Sequence, residues 1–327
     1  MPNASSTSPP QAPAIPAALQ TRVRTFLEAC EIDRNLSPLT IRQYDLYLDH
    51  LLAYLSQRHP RVQDLTDLDP DAVRAYKLAL ARHLNARTGR PLARVTQTYF
   101  LIALRSLLRY WAMQGLEVLA PDRVELGKAQ SRSLKFLDPE QMQRLLCAPD
   151  VTDELGLRDR AVLELFFSTG LRVSELASLN RDDVNLRTRE FGVIGKGRKT
   201  RIVFLTEAAA TWVERYVQAR TDHWKPLFIR TRGERDPSPD GLRMRMSPRS
   251  IERIVEKYVK AAGLAVDATP HTLRHSFATD LLSNGADLRA VQEMLGHANL
   301  NTTQIYTHVT NPQLRAVHRK FHSGNRA

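Results

Sequence analysis

The chain has 327 residues, which is too long for one average domain and fits two. Lys and Arg outnumber Asp and Glu by 47 − 35 = 12, so we expect an anionic partner, most commonly nucleic acid; a basic protein without such a partner is the alternative. Two distant cysteines, Cys30 and Cys147, exclude a disulfide framework and a cysteine zinc site. With no secretory leader and no apolar run of bilayer length, we expect a cytoplasmic protein without a membrane partner.

Helical periodicity dominates the first third of the chain. Residues 1–18 carry five prolines and no charged side chain, so we predict a disordered Pro/Ser-rich tail there. Four amphipathic segments then predict an α-helical domain over residues 19–115. They begin at Ala18, at the cap signature Ser37-Pro38, at Asp69-Pro70 and near Ala93.

Basic residues on this domain and beyond it are candidates for contacts with a phosphate backbone. A basic linker is predicted over residues 116–135, where the helical periodicity is lost. For each basic side chain taken alone, a solvated surface is the alternative. The candidates in the first domain, in the linker and in a later turn are Arg42, Arg94, Arg105, Lys128, Arg132, Arg198 and Lys199.

The second domain, residues 136–327, is predicted to be mainly helical with one β-hairpin. Asp138-Pro139 opens a helix, and a further apolar helix over residues 158–169 ends at the C-cap glycine Gly170. Two β-rich runs within residues 190–205 surround a Gly-Lys-Gly-Arg turn, which is typical of a hairpin. Later helices at about 207–220 and 249–262 flank a loop rich in Arg, Pro and Gly, residues 230–248, which we predict to be mobile.

Residues able to bind and transform a phosphate lie near the C-terminal end. Thr269 as cap and Pro270 as first residue place His271 and Arg274 on one face of a helix start, where free N–H groups favour anions. A guanidinium that binds two oxygens and an imidazole that moves a proton near neutral pH favour a phosphoryl site. A capped helix with a surface arginine and a packed histidine is the alternative, and His275 is interpreted as structural.

Two further residues, Tyr306 and Lys196, need a chemical context. Tyr306 becomes a useful nucleophile only beside a base or a dense positive field; a core tyrosine is the alternative. Lys196 stands between two glycines but lacks the following Ser or Thr and the helix of a Walker motif, so we predict an exposed proton donor on the hairpin turn. The sequence shows no HExxH, acidic pair or Cys/His cluster at metal spacing, so no metal is expected.

The order and spacing of five motifs resemble the signature of the tyrosine recombinase, or phage integrase, family. They are TGLRVSEL at 169–176, GKG at 195–197, HTLRH at 271–275, LGH at 295–297 and Tyr306. The stretch 285–309 closely resembles the Xer subgroup, whose members resolve chromosome dimers. The resemblance implies a two-domain DNA clamp, mainly α with a small β-hairpin, made of a SAM-like core-binding domain and a catalytic domain.

The resemblance also implies a transesterification that needs no cofactor. Tyr306 would attack the scissile phosphate and remain joined to it as a 3′-phosphotyrosine, which leaves a free 5′-hydroxyl. Arg172 and Arg274 would bind the non-bridging oxygens, and Lys196 would protonate the departing 5′-oxygen. His271 would be the base for the tyrosine.

Two more residues complete the implied site. His297 would donate a hydrogen bond to the phosphate, and Glu175 would support the site without contacting the phosphate. The implied partners are duplex DNA with inverted half-sites, and identical or paralogous protomers in a synaptic tetramer that passes through a Holliday junction. A DNA translocase and a nucleoid-associated location are also implied. An apolar C-terminal segment is expected to dock on a neighbour or to cap its own domain; it contains Leu314, Val317 and Phe321.

Two other functions stay open on the sequence. An integrase or resolvase of a mobile element would use the same chemistry, and a catalytically idle architectural protein would only bind DNA. The intact motif residues argue against the second of these. The tail over residues 1–18 and the loop over residues 230–248 depart from compact members of the family.

Overall fold

A computed structural model describes residues 14–85, 88–127, 135–195 and 200–296. The chain divides into two compact units, residues 1–131 and 132–327. The described residues form eleven α-helices and one two-stranded antiparallel sheet, so the predicted fold, mainly α with a small hairpin, is confirmed. None of the helices in these ranges has the length and apolar character needed to cross a membrane.

The first unit contains the four predicted helices, and each begins within one residue of its predicted start. They are α1 (Ala17–Ile32), α2 (Pro38–Arg58), α3 (Pro70–Arg82) and α4 (Arg94–Met113). The predicted caps form as expected: the Ser37 side chain accepts a hydrogen bond from the Thr40 N–H, and the Asp69 side chain accepts one from the Ala72 N–H. Local side-chain chemistry therefore determines where these helices begin.

The core of the first unit lies between these helices and extends beyond them in sequence. Leu48, Leu104 and Leu107 are fully buried in it. Val124, which lies within the predicted linker, is also fully buried against this core. Residues 128–134 of that linker and residues 1–13 of the tail lie outside the described residues.

The second unit is built around one buried helix. Its elements are α5 (Pro139–Cys147), α6 (Glu154–Thr169), α7 (Val173–Ser178), β1 (Glu190–Ile194), β2 (Thr200–Phe204), α8 (Glu207–Ala219), α9 (Pro248–Ala261), α10 (Pro270–Ser283) and α11 (Leu288–Leu295). Helix α6 packs against α5, α8, α9 and α10, and it is buried on most of its faces, as a central helix must be. It begins four residues before the predicted start because Asp153 caps it through the Gly156 N–H.

The hairpin pairs β1 with β2 in antiparallel register, from Glu190 opposite Phe204 to Ile194 opposite Thr200. Phe191 and other alternate side chains turn into the core of the second unit. Strand β2 also contacts α6 and α11, so the hairpin lies beside the end of α11. The predicted hairpin is confirmed, and residues 196–199 of its turn lie outside the described residues.

The loop over residues 230–248, predicted to be mobile, is held by hydrogen bonds of its own side chains. The Arg230 N–H donates to the Met244 carbonyl at 2.8 Å, and the Arg230 guanidinium donates to three further loop carbonyls. Asp236 is buried and accepts from the Arg243 N–H. Because arginine and aspartate side chains satisfy the loop's own backbone groups, the stretch is anchored despite its polar composition.

Candidate active site

Arg172 is held at the start of α7 by a carboxylate one turn along that helix. The Arg172 N–H donates to Oε2 of Glu175 at 2.9 Å, and Nη1 of Arg172 donates to Oε1 at 2.8 Å. The Glu175 side chain is buried, whereas 34% of the Arg172 side chain is exposed. One buried carboxylate therefore fixes both the backbone and the guanidinium of Arg172 and leaves the guanidinium facing outward.

A second arginine, Arg201 on β2, binds the same carboxylate. Its Nη1 donates to Oε1 of Glu175 at 2.9 Å and its Nη2 donates to Oε2 at 2.8 Å. Burial raises the pKa of Glu175, but the hydrogen bonds and charges of Arg201 and then Arg172 outweigh burial and lower the pKa to about 2. Sequence analysis missed Arg201; the available signal was a charged residue in the otherwise apolar run Arg-Ile-Val-Phe-Leu at 201–205.

Arg274 is buried in the first turns of α10. Thr269 caps this helix by accepting a hydrogen bond from the Thr272 N–H, as predicted. The Arg274 guanidinium donates to the carbonyls of Gly170 and Leu295. The alternative of a surface arginine on a capped helix is therefore wrong.

Three arginines converge on the C-terminal end of α11. The Met294 carbonyl accepts a hydrogen bond from Nε of Arg201 at 2.9 Å, and the Leu295 carbonyl accepts one from Nη2 of Arg274. The Gly296 carbonyl accepts one from Nη2 of Arg172 at 3.4 Å. Gly296 ends the helix in the left-handed conformation, with φ of 64°, which explains the glycine of the Leu-Gly-His motif. The last carbonyls of a helix lack internal partners and carry partial negative charge, so they attract cations.

Two histidines lie beside this cluster on α10. The rings of His271 and His275 are 4.3 Å apart and meet edge to face. Burial, then the charges of His271 and Arg274, lower the pKa of His275 to about 4, so this buried ring is uncharged at neutral pH. Partial desolvation, then the charges of Arg274 and Arg172, also lower the pKa of His271. At neutral pH His271 is therefore an uncharged imidazole that can accept a proton.

The structure thus brings together four of the predicted site residues: Arg172, Glu175, His271 and Arg274. The other three lie outside the described residues and are Lys196, His297 and Tyr306. Gly296, the residue directly before His297, belongs to the cluster because its carbonyl accepts a hydrogen bond from Arg172. Among the described residues, no three His, Cys, Asp or Glu side chains are placed to share a metal ion.

The predicted DNA-contacting residues of the first unit differ in their availability. Arg42 on α2 and Arg94 at the start of α4 are exposed. Arg105 is paired with Asp122, which neutralises part of its charge. The remaining candidates lie outside the described residues; they are Lys128, Arg132, Arg198 and Lys199.

The geometry suits the binding of an anion whose charge grows during a reaction. Two guanidiniums donate in planar pairs, which matches the oxygens of a phosphate. Their positions are fixed before any ligand binds, by Glu175 and by the end of α11, and preorganised donors of this kind stabilise developing charge without reorganisation. A neutral imidazole beside them supplies a proton acceptor.

Comparison with known proteins identifies the family. Residues 135–312 match the phage integrase family, and residues 23–115 match the N-terminal SAM-like domain of phage integrases. The chain belongs to the phage integrase family. The resemblance drawn from the five motifs is confirmed, and the chain is an enzyme of the tyrosine recombinase type.

Several relatives are similar over nearly their whole length. "Tyrosine recombinase XerC" of Pelobacter propionicus is 38% identical over 307 residues, which cover 93% of this chain and 96% of that protein. "Tyrosine recombinase XerD" of Pseudomonas aeruginosa is also 38% identical, with 91% and 95% covered.

Solved structures share the fold. XerH site-specific recombinase bound to a palindromic difH substrate has a TM-score of 0.65 at 24% identity, with 91% of this chain and 84% of that chain covered. The Tn1549 transposon integrase in complex with a circular intermediate DNA has a TM-score of 0.67 at 19% identity, with 92% and 99% covered.

Proposed function

We propose that this enzyme is a site-specific recombinase that cuts and rejoins duplex DNA and resolves chromosome dimers at segregation. One observation carries the proposal: Arg172 and Arg274, from segments far apart in sequence, converge with the neutral His271 at one helix end. Such a site binds a phosphodiester and has a base beside it. The overall charge of +12 suits a DNA partner.

In the proposed reaction the phenolic oxygen of Tyr306 attacks the scissile phosphorus while its proton passes to His271. A bond forms between phosphorus and the tyrosine oxygen, and the bond from phosphorus to the 5′-oxygen breaks. Lys196 gives a proton to the departing 5′-oxygen. Arg172 and Arg274 hold the non-bridging oxygens, where the loss of one donor costs roughly 10²–10³ in rate. Bond energy is kept in the phosphotyrosine, so rejoining through a Holliday junction needs no cofactor.

Two residues support these steps. His297 is proposed to donate a hydrogen bond to the phosphate. Glu175 holds Arg172 in place, and its lowered pKa keeps the carboxylate ionised at neutral pH. An ionised carboxylate accepts from both neighbouring arginines, which a protonated one cannot do as well.

The proposal extends to partners and location. We infer a recombination site with inverted half-sites, bound by identical or paralogous protomers in a synaptic tetramer joined through the C-terminal segment. A DNA translocase and a cytoplasmic, nucleoid-associated location complete the proposal. Arg42 and Arg94, both exposed, are proposed DNA contacts of a core-binding domain over residues 19–115, with a basic linker and a catalytic domain, 136–327, after it.

A second candidate is an integrase of a mobile element, favoured by the fold shared with the Tn1549 transposon integrase. The 38% identity to proteins named XerC and XerD favours chromosome-dimer resolution instead. Sequencing the DNA trapped on the protein in cells separates the two. One fixed chromosomal locus supports dimer resolution, and the ends of an element support the alternative.

The nucleophile is tested with a nicked suicide substrate built from the trapped DNA. The wild type should form a denaturant-resistant protein–DNA adduct, and Tyr306→Phe should form none. Tyr99→Phe is the control because Tyr99 is 49% exposed on the first unit. An adduct that persists in Tyr306→Phe removes Tyr306 as nucleophile, and a wild type without any adduct removes the proposed reaction.

The general acid is tested by chemical rescue. Lys196→Ala should cleave slowly on ordinary DNA and recover its rate on a substrate with a 5′-bridging sulfur, because a thiolate leaves without needing a proton. Tyr306→Phe on the same substrate is the control and should remain inactive. Lack of rescue in Lys196→Ala removes the lysine from this role.

A further inference from the structure

Arg201 uses all three of its guanidinium nitrogens on other parts of the second unit. Nη1 and Nη2 bind the two oxygens of Glu175, and Nε donates to the Met294 carbonyl at 2.9 Å. The Arg201 side chain is only 10% exposed. A buried arginine with this set of bonds holds its partners at fixed distances, because the guanidinium is planar and rigid.

The three segments that Arg201 joins each lead to a proposed catalytic residue. Through Glu175 it reaches the start of α7 and Arg172. Its own strand, β2, follows the hairpin turn that contains Lys196. The Met294 carbonyl belongs to the last turn of α11, three residues before His297.

Arg201 also limits how Arg172 can bind Glu175. Each carboxylate oxygen of Glu175 accepts one bond from Arg201, and the second bonds come from the Arg172 N–H and Nη1. With Arg201 in place, the two Glu175 oxygens cannot both accept hydrogen bonds from the Arg172 guanidinium in a bidentate arrangement. Nη2 of Arg172 instead points toward the Gly296 carbonyl at the exposed side of the cluster.

We propose that Arg201 is a positioning residue for DNA cleavage, acting through Arg172. Without Arg201, Glu175 and Arg172 form a bidentate salt bridge with each other. This salt bridge moves the Arg172 guanidinium away from the phosphate. The proposal rests on the proposed recombinase function and deepens it. It assigns a role in that site to a residue of β2 whose three guanidinium nitrogens all bind protein groups.

The test compares Arg201→Lys with Arg158→Lys. Lysine keeps the charge but cannot bind two carboxylate oxygens and a carbonyl from one planar group. Arg158 is a matched control: it lies in the same unit, its side chain is 9% exposed, and its three nitrogens bind Asp159 and the Ile229 carbonyl. It contacts no member of the Glu175 cluster that the structure describes.

The readout is single-turnover cleavage within a preformed complex on the suicide substrate, together with the Kd for that DNA. Arg201→Lys should lower the cleavage rate about 10–100-fold, as loss of an outer partner of a site does elsewhere, and change Kd less than about threefold. Arg158→Lys should lose a similar amount of stability against urea and keep the wild-type cleavage rate. Equal rates for the wild type and Arg201→Lys would overturn the proposal, as would equal slowing by the two variants.

A double-mutant cycle shows whether the effect passes through Arg172. In an Arg172→Lys background, Arg201→Lys should slow cleavage less than about threefold, because the residue it positions is already changed. In an Arg274→Lys background it should keep its full effect, and equal effects in both backgrounds refute action through Arg172. Arg201→Gln offers the same comparison if the lysine variant does not fold. A wild type that forms no adduct contradicts the recombinase function itself, whereas an Arg201→Lys variant that cleaves at the wild-type rate contradicts only this role.

Discussion

Replacement of Gly170 by alanine should damage the second unit in two separable ways. Gly170 ends α6 with φ of 59°, a conformation that costs an L-residue about 1–2 kcal/mol. An added Cβ would lie 2.5 Å from Cδ1 of Phe277, and crowding of this kind costs about 1–3 kcal/mol. The free energy of unfolding should therefore fall by about 2–5 kcal/mol in Gly170→Ala.

The control is Gly263→Ala, in the same unit. Gly263 has φ of 60°, but its Cβ would meet nothing closer than an Arg144 nitrogen at 3.5 Å, so this variant should lose only about 1–2 kcal/mol. Urea unfolding followed by tryptophan fluorescence measures both. In a Phe277→Ala background, which removes the crowded ring, Gly170→Ala should cost less than it does in the wild-type background. Equal losses for the two glycines in the wild-type background would refute the predicted overlap.

Gly170→Ala should also slow DNA cleavage, because the Gly170 carbonyl accepts a hydrogen bond from Arg274. Phe277 and Arg274 lie one turn apart on α10, so any movement that relieves the overlap also shifts the arginine. Gly263→Ala should cleave at the wild-type rate. A Gly170→Ala protein that loses stability and keeps its single-turnover rate would show that this carbonyl does not position Arg274.

Three further predictions concern protonation and capping. The pKa of His275 is lowered from its ordinary 6.5 to about 4, so the folded state resists protonation of this ring. The free energy of unfolding should therefore fall by about 3 kcal/mol as the pH drops from 6.5 to 4. In urea titrations at several pH values, His275→Gln should show a weaker pH dependence. Because the pKa of His271 is lowered, the single-turnover cleavage rate should begin to fall only below pH 6.5. His271→Gln should cleave about 10²–10⁴ times more slowly and should not show this fall at low pH. Asp138→Ala removes the cap that accepts from the Gln141 N–H and should cost about 1 kcal/mol by urea unfolding, with cleavage unchanged.

The helix starts were predictable from the sequence because their causes are local. Asp138 and Thr269 each accept a hydrogen bond from an N–H three residues along the chain, with proline in between at the first helical position. Gly170 likewise ends α6 through its own positive φ. Signals of this kind lie within a few residues, so one sequence contains all the information they need.

The hydrogen bonds that assemble the site could not be predicted, because their partners are far apart in sequence or are backbone carbonyls. Arg201 binds a carboxylate 26 residues before it and a carbonyl 93 residues after it. A backbone carbonyl has no residue type, so the acceptors of Arg274 leave no trace in the sequence. The anchored loop after Ile229 was missed for the same reason, since Arg230 binds carbonyls there.

The end of α11 also determines when during synthesis the arginine cluster can be completed. Arg172 leaves the ribosome 124 residues before Gly296, and Gly170 leaves it 104 residues before Arg274. A growing chain can pair Arg172 with Glu175 early, but the acceptors at residues 294–296 arrive only near the end of translation. A chain interrupted before that point carries both a DNA-binding charge and half a phosphate site, yet it lacks the element that aligns the arginines. The arginine cluster can therefore be completed only when nearly the whole chain has been made.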